Sequence, residues 1–439
     1  MPTPNSRKGR VTPRPGPIVA AYLVPFWPIE FGSNGIATYV HHLSRRLHEK
    51  GGRPVLITER LMGQVDRAAA PPVRAFSPER GSWAMRKLRR VSRRLVPALR
   101  EADPRPAAIA AAVEDCVRRD GVQILEMEES FGWAAGVSRS ISVPLVVRLH
   151  GPWFLNGAAN GVPDGRDFRD RVSRELAGLL AAAAVSAPSR DVLERTRRYY
   201  QIPLEGAVVI PCPAPSVPEH RRWRLDEADR DTILFIGRFD LHKGGDVMID
   251  AFARVAEADP RPRLRFVGPD CGIRDASGRC WKLPEYVATR APKAAAEGRI
   301  EVLGQLPASS LDDYRRRALV TVVPSRYDNN PNTVSEAAAL GAPLVASDVG
   351  GIGEVVADGK SALLVPPADP DALAVAIGRL LDDPQRAARL GAAAGRRTAL
   401  DLDPDRIADR TLEFYRSVLD RRASAALGRR TASRPFAGP

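Results

Sequence analysis

Short apolar strands alternate with helical segments along most of this chain, and the alternation runs twice with one break between. Buried strands are read at 17–24, 54–58, 122–127, 145–149, 184–187 and 208–210, with helical periodicity over 35–50, 131–140, 168–180 and 190–200. Parallel strands need crossover helices, so this rhythm argues for βαβ units. The proline-rich, mixed-charge stretch 211–230 interrupts it as a linker would. The rhythm then restarts with strands at 232–237, 264–268, 300–303, 320–324, 343–346 and 362–365. Helices are read at 246–257, 285–296, 311–317, 333–340, 371–381 and 384–398, with a last one near 404–421. The expected fold is α/β, two Rossmann-like doubly wound domains at 17–212 and 213–403, with 404–421 returning to the first. Residues 1–16 and the basic tail 422–439 are expected to be disordered. A chain of 439 residues that is 44% hydrophobic has material for two such cores.

In open α/β sheets, ligands bind where strands end and helix N-termini present free N–H groups. Three segments fit that position. Gly32-Ser33-Asn34-Gly35 follows the first strand; Asn34 and Gly35 would let a phosphate approach closely, although an ordinary βα turn has the same composition. The loop from Gly237 to Gly245 carries Arg238 and Lys243, a planar fork of donors and a point charge able to straddle a diphosphate. A solvated basic loop is the plainer alternative. The third runs from Pro324 to Glu336. There Asp328 and Glu336 stand eight residues apart and can reach different hydroxyls of one ligand, while the amides of Asn332 and Thr333 start a helix facing a phosphate. Asp328 as an Asx-turn residue and Glu336 as a solvated helix residue is the competing view.

In this order and spacing the segments resemble glycosyltransferase family four, retaining enzymes of the GT-B fold. "GRFDLHKGGDVMIDAF" looks like the family's diphosphate-binding Arg/Lys segment, and "PSRYDNNPNTVSEAAALGAPLVASDVGGIGEVV" like its E-x7-E region. The resemblance spans roughly residues 17 to 421. It implies transfer of a hexosyl group from a nucleotide-diphosphate sugar to a hydroxyl acceptor with retention, the donor held in a cleft that closes between the domains. It also implies that Arg238 and Lys243 bind the diphosphate and neutralise the leaving group, and that Glu336 holds the ribose. Asp328 stands where the family usually has a glutamate contacting the transferred sugar, one methylene shorter. Pro331 has no N–H, which leaves Asn332 and Thr333 as the phosphate donors. His150, in "VVRLHGP", matches a family histidine near the reacting sugar; by chemistry alone a lone histidine after a strand is more often structural. No cofactor is implied beyond the donor substrate, and no metal is expected.

The net charge of +14 fits nucleic acid, an anionic membrane or an acidic small molecule. Zinc-finger spacing and RNP aromatics are missing, so no nucleic-acid partner is expected. Residues 83–100 hold seven Lys or Arg and no acid, with Leu88, Val91, Leu95 and Leu99 on one face. That is the profile of an interfacial helix on an anionic membrane, or of an amphipathic helix packed on its own domain. A lipid-linked acceptor, a glycan and a small molecule all stay open. The N-terminus has no signal-type apolar run, so the expected location is cytoplasmic, with peripheral contact to the inner face of the membrane through 83–100. The four cysteines are expected as reduced thiols. Glu128 and Glu129, at a strand exit, could touch acceptor hydroxyls but are expected as surface carboxylates. The rival activities on the same architecture are a nucleotide-sugar epimerase, a sugar phosphorylase or a non-catalytic nucleotide-sugar-binding protein.

Overall fold

The structure, a computed structural model, describes residues 16–31, 34–63, 71–78, 103–275 and 277–432. The basic segment 83–100 lies outside them, as do Gly32 and Ser33.

Seven parallel strands form the first sheet: β1 (Val19–Val24), β2 (Arg53–Thr58), β3 (Val73–Ala75), β4 (Ile124–Glu128), β5 (Leu145–Arg148), β6 (Ala184–Ala187) and β7 (Val208–Val209), in the order β3-β2-β1-β4-β5-β6-β7. Its helices are α1 (Gly35–Glu49), α2 (Arg105–Asp120), α3 (Ala134–Ser138), α4 (Trp153–Ala159), α5 (Arg166–Ala181) and α6 (Arg190–Tyr200). Strand β1 is buried throughout: Val19, Ala21 and Leu23 enter one core cluster, and Ala20, Tyr22 and Val24 another. A strand covered on both faces must read as an unbroken apolar run, and β1 does.

The second domain carries β8 (Asp229–Ile236), β9 (Arg263–Val267), a small hairpin of β10 (Ile273–Arg274) and β11 (Cys280–Trp281), then β12 (Ile300–Gly304), β13 (Ala318–Val323), β14 (Leu344–Ser347) and β15 (Leu363–Val365). Its main sheet is ordered β12-β9-β8-β13-β14-β15, again all parallel. The helices are α7 (Gly245–Ala258), α8 (Leu283–Arg290), α9 (Pro292–Ala296), α10 (Ala308–Arg317), α11 (Asn332–Leu340), α12 (Ile352–Val355), α13 (Pro370–Asp382) and α14 (Pro384–Asp401).

The last helix, α15 (Pro404–Ala432), packs on α1 of the first domain. Ile407, Leu412, Phe414, Tyr415 and Val418 are buried there against Tyr22, Tyr39, Val40 and Leu43. Burying one such apolar side chain stabilises by roughly 1.5–3 kcal/mol, so this face fixes the returning helix. A polar knot lies inside it. Glu126 accepts from Tyr39 Oη at 2.9 Å and from Tyr415 Oη at 2.8 Å. Arg148 lies over the Tyr39 ring at 4.1 Å and donates to Ile210 O at 2.8 Å.

Several local expectations are corrected. The stretch 131–140 is a 3-10 turn followed by the short α3, and 285–296 divides into α8 and α9 where Pro292 cannot continue a helix. Residues 105–120 are helical where no helix was expected. The tail expected to be disordered from 422 continues α15 to Ala432, because the Ala- and Arg-rich sequence contains no proline before Pro435. Strands β3, β10 and β11 are two or three residues long, too short for periodicity to reveal.

Candidate active site

In each main sheet the strand order turns at one point, β1 beside β4 and β8 beside β13. Loops leaving the carboxyl ends of β1, β4 and β5 on one side and of β8 and β13 on the other face each other and enclose a cleft of about 320 Å³. Asn34, Gly35, Ser130, His150, Gly151 and Asn156 form its first wall; Arg238, His242, Lys243 and Asp328 to Thr333 form the other. All of the sequence-based site residues but Glu336 line it.

The second wall is built by close backbone approach. Gly244, at φ +70°, puts its Cα where a Cβ would lie 1.9 Å from Pro324 O. Gly350 and Gly351 do the same against Asp328 O and Asn329 O, so no side chain fits at either position. Asp240, 8% exposed, organises the first loop by accepting from Arg238 Nε at 2.5 Å and Lys243 N at 2.7 Å. Arg238 is thereby oriented through Nε, and its Nη edge has no hydrogen-bond partner among the described residues. Lys243 Nζ lies 2.5 Å from Asp328 Oδ2. Arg326 grips Asp246 through two contacts of 2.8 and 2.6 Å and ties the two loops together. At the start of α11, Val334 N and Ser335 N bond Pro331 O at 3.1 Å. The N–H groups of Asn332 and Thr333 have no acceptor among the described residues, which suits an anion.

The first wall holds a corrected detail. The Asn34 carboxamide is engaged in capping α1, accepting from Ile36 N at 2.9 Å and Ala37 N at 3.2 Å. Those two N–H groups are not open to a phosphate. Gly35 faces the opposite helix start, its Cβ position 3.8 Å from Asn332 Nδ2. His150 packs edge-on to Tyr39 with ring centroids 5.1 Å apart. Burial, then Arg148, holds its pKa well below the usual histidine value. The imidazole is neutral.

Glu128 and Glu129 are not surface groups. They are 4% and 1% exposed. Glu129 accepts from His150 N at 2.8 Å and Gly151 N at 2.6 Å and so fixes the turn that presents His150. Burial, followed by the Glu175 carboxylate, pushes its pKa up to about 8, and burial raises Glu128 to about 7. Glu336 lies one turn into α11, outside the cleft lining, its carboxylate paired with Arg315 and 23% exposed.

The domains meet through the same loops. Asn329 Nδ2 donates to His150 O, and Cys212 N to Asn330 Oδ1 at 3.2 Å. Glu354 of α12 accepts from Arg190 N and Asp191 N at 2.9 Å each, capping α6 of the other domain. Three buried polar atoms of cleft residues, Asn156 Oδ1, His242 Nε2 and Asn329 Oδ1, have no partner among the described residues. An unsatisfied buried group costs about 1–3 kcal/mol, so three in one cleft point to a polar ligand. His242 and Asn329 sit inside the motifs read from the sequence but were given no role there; Asn156 carried no signal at all.

Among the described residues no group of three or more His, Cys, Asp or Glu could hold a metal ion, and no helix is long and apolar enough to cross a membrane. All four cysteines are free, Cys116 and Cys212 buried, Cys271 and Cys280 exposed.

The sequence model of the family described as Glycosyltransferase Family 4 matches residues 33–215, and that of Glycosyl transferases group 1 matches 217–397. A D-inositol 3-phosphate glycosyltransferase of Thermomonospora curvata is 36% identical over 310 residues, 68% of this chain and 71% of that protein. The chain belongs to glycosyltransferase family 4. A second D-inositol 3-phosphate glycosyltransferase, from Acidothermus cellulolyticus, is 29% identical to this glycosyltransferase across 96% of it and 94% of the relative. Among solved structures, sucrose-phosphate synthase from Thermosynechococcus elongatus superposes with a TM-score of 0.68 at 21% identity, covering 92% of this chain and 99% of that one. HepE of Anabaena, in complex with UDP and glucose, does so at 0.65 and 16%, covering 91% and 99%. The fold of this glycosyltransferase is therefore GT-B.

Proposed function

We propose that this glycosyltransferase moves a hexosyl group from a nucleotide-diphosphate sugar to a hydroxyl acceptor with retention of configuration. The observation that carries this reading is the convergence of Arg238, Lys243 and the two free N–H groups of α11 on one side of the cleft. A diphosphate is the ligand whose charge and span match that set. As the bond to the sugar breaks, the leaving diphosphate gains charge, and these fixed donors stabilise it where it develops.

Asp328, freed from Lys243 as the cation turns to phosphate, accepts from a hydroxyl of the transferred sugar. Neutral His150 hydrogen-bonds the sugar from the opposite wall and orients it; it takes no proton. Glu336 lies four residues beyond Asn332, on the same face of α11, and holds the ribose there. The acceptor's proton passes to the donor phosphate oxygen in front-side attack, and closure of the domains keeps water from taking the acceptor's place. A UDP donor has the first claim, since the HepE structure holds UDP and glucose. Inositol 3-phosphate has the first claim among acceptors, since the relatives are named for it. A cytoplasmic location, with 83–100 on anionic lipid, completes the proposal; co-sedimentation with phosphatidylglycerol vesicles tests that part.

The deciding experiment is a thermal-shift panel of UDP-, GDP- and ADP-sugars, followed by product analysis with the donor that binds. Stabilisation by one nucleotide series, lost in Lys243→Ala, supports the reading. No shift with any of them removes it.

A further inference from the structure

A second cavity, of about 170 Å³, lies where the chain crosses twice between the domains. The crossings are the linker after β7 and the turn between α14 and α15, and where they touch Ala214 N donates to Leu402 O at 3.0 Å. Ala214 and Arg222 line the cavity from the linker, Leu402 and Asp403 from the turn, Thr398 from α14 and Ala339 from α11. None of these six residues lines the cleft.

Polar groups of this wall are left over. Thr398 is 2% exposed, and its Oγ1 has no hydrogen-bond partner among the described residues. A mid-helix threonine can donate to the carbonyl one turn back, as Thr196 Oγ1 does to Val192 O at 2.7 Å and Thr411 Oγ1 to Ile407 O at 2.8 Å. Thr398 does not. The exposed Arg222 guanidinium meets no carboxylate or carbonyl among the described residues. Asp403 caps α15 through Oδ1, which accepts from Arg406 N at 2.9 Å, while its Oδ2 has no donor among the described residues. Apart from Ser216, the remaining lining is proline, valine, glycine and alanine.

We propose that this cavity is an effector site for a small zwitterion, an α-amino acid with a short uncharged side chain. Its carboxylate pairs with Arg222 and accepts from the Thr398 hydroxyl; its ammonium pairs with Asp403. The side chain lies on the apolar wall. A phosphate or dicarboxylate fits worse, because Asp403 repels the second negative charge. The volume is about half that at which pockets for drug-sized ligands begin, roughly 300 Å³, so a nucleotide is too large.

Occupancy reaches the cleft by two short routes. Helix α11 opens at Asn332 and Thr333 in the cleft and carries Ala339 in the cavity. The linker runs from Cys212, whose N–H holds Asn330 Oδ1 at 3.2 Å, to Ala214. Both domains wall the cavity in the arrangement that brings Asn329 and Asn330 against the first domain. A ligand that fits the cavity favours that arrangement, and so does a donor held by the same loops. The two ligands therefore tighten each other's binding by one common factor.

The inference rests on the nucleotide-sugar reading for this coupling alone. Calorimetry on the full chain titrates L-alanine, L-serine and L-valine, with isobutyrate and isobutylamine as probes of one charge each. At least one amino acid should bind, and the single-charge probes should bind at least about tenfold more weakly. Arg222→Gln, at an exposed side chain without a partner, should weaken the amino acid at least about tenfold and leave the melting temperature unchanged. Thr398→Val removes an unsatisfied buried hydroxyl, so it should melt no lower than the wild type while binding more weakly. No heat with any of the three amino acids overturns the proposal, as does wild-type affinity in either variant. A saturating amino acid should lower the Kd of whichever nucleotide sugar the cleft binds by at least about threefold; an unchanged Kd overturns the effector role. If an amino acid binds and no nucleotide sugar does, the donor reading fails and the cavity's ligand stands. If a nucleotide sugar binds and no amino acid does, the cavity fails and the donor reading stands.

Discussion

Lys243 Nζ rests 2.5 Å from Asp328 Oδ2, an ion pair that joins the two loops leaving β8 and β13. The side chains are 24% and 12% exposed, so the pair is partly shielded. If the cleft takes a diphosphate as proposed, that ligand would compete with Asp328 for the same ammonium and would leave the released carboxylate facing the sugar. Lys243→Ala should therefore lower kcat/KM by at least about tenfold, roughly 1.4 kcal/mol of transition-state stabilisation. Initial rates on folded protein check this; a near-normal rate would remove Lys243 from the site.

Glu336 needs a gentler substitution. Its carboxylate neutralises Arg315, whose side chain is 2% exposed, so Glu336→Ala strands a buried guanidinium with only Asp312 beside it. That variant should lose about 1–3 kcal/mol of stability in denaturant melts. Glu336→Gln can still accept from Arg315. It should melt near the wild type and show a donor KM raised about fivefold, which isolates the proposed ribose contact from the packing.

Gly350→Ala tests the loop architecture. Its Cβ would fall 1.9 Å from Asp328 O, with φ at +55°, so the donor loop must shift. Gly359→Ala, at φ +64° with nothing within 4 Å, carries the backbone strain alone. The control should cost about 1–2 kcal/mol. Gly350→Ala should cost more in denaturant melts and also lower activity; equal costs would mean that the close approach does not hold the loop.

What the sequence made legible was whatever is contiguous in the chain. Arg238 and Lys243 sit in one short glycine-flanked loop, and Asn332 and Thr333 open the helix they were assigned to, so strand-exit rules found them. Groups defined by distant partners stayed hidden. Glu126 meets Tyr415 across 289 positions, and Glu129 meets His150 across 21. Adjacent carboxylates at a strand end look like surface charge until the backbone N–H groups that hold one of them are known. Glu336 was read as ribose ligand or solvated residue because nothing in the chain announces Arg315. Phe131 was read as part of a helix, since a left-handed aromatic leaves no periodic signature.

The cap that Glu354 places on α6 joins the domains. Ser189 also caps α6, through Val192 N at 3.3 Å, so Glu354→Ala should spare the helix itself. Losing a carboxylate cap costs about 1 kcal/mol. Here that loss falls on the closed arrangement, and donor Kd measured by calorimetry should rise about fivefold. A Kd unchanged from the wild type would mean that this contact does not bias closure.

The buried pair Glu128 and Glu129 sets a pH dependence whose sign is opposite to that of ordinary salt-bridged carboxylates. Their folded pKa values, about 7 and about 8, lie above the unfolded value of 4.5. Between these limits the folded chain holds protons that the unfolded chain has released, so stability falls as pH rises. The contribution is fully present below 4.5 and is lost as pH passes through 7 and then 8. The two N–H bonds to Glu129 pull its pKa down without offsetting burial and the Glu175 charge. Urea melts from pH 5 to 9 should show this decline. Glu129→Gln, whatever its absolute stability, should remove the part ending near pH 8. A slope identical to that of the wild type would place the Glu129 pKa in the ordinary range, with the carboxylate ionised against its two backbone donors.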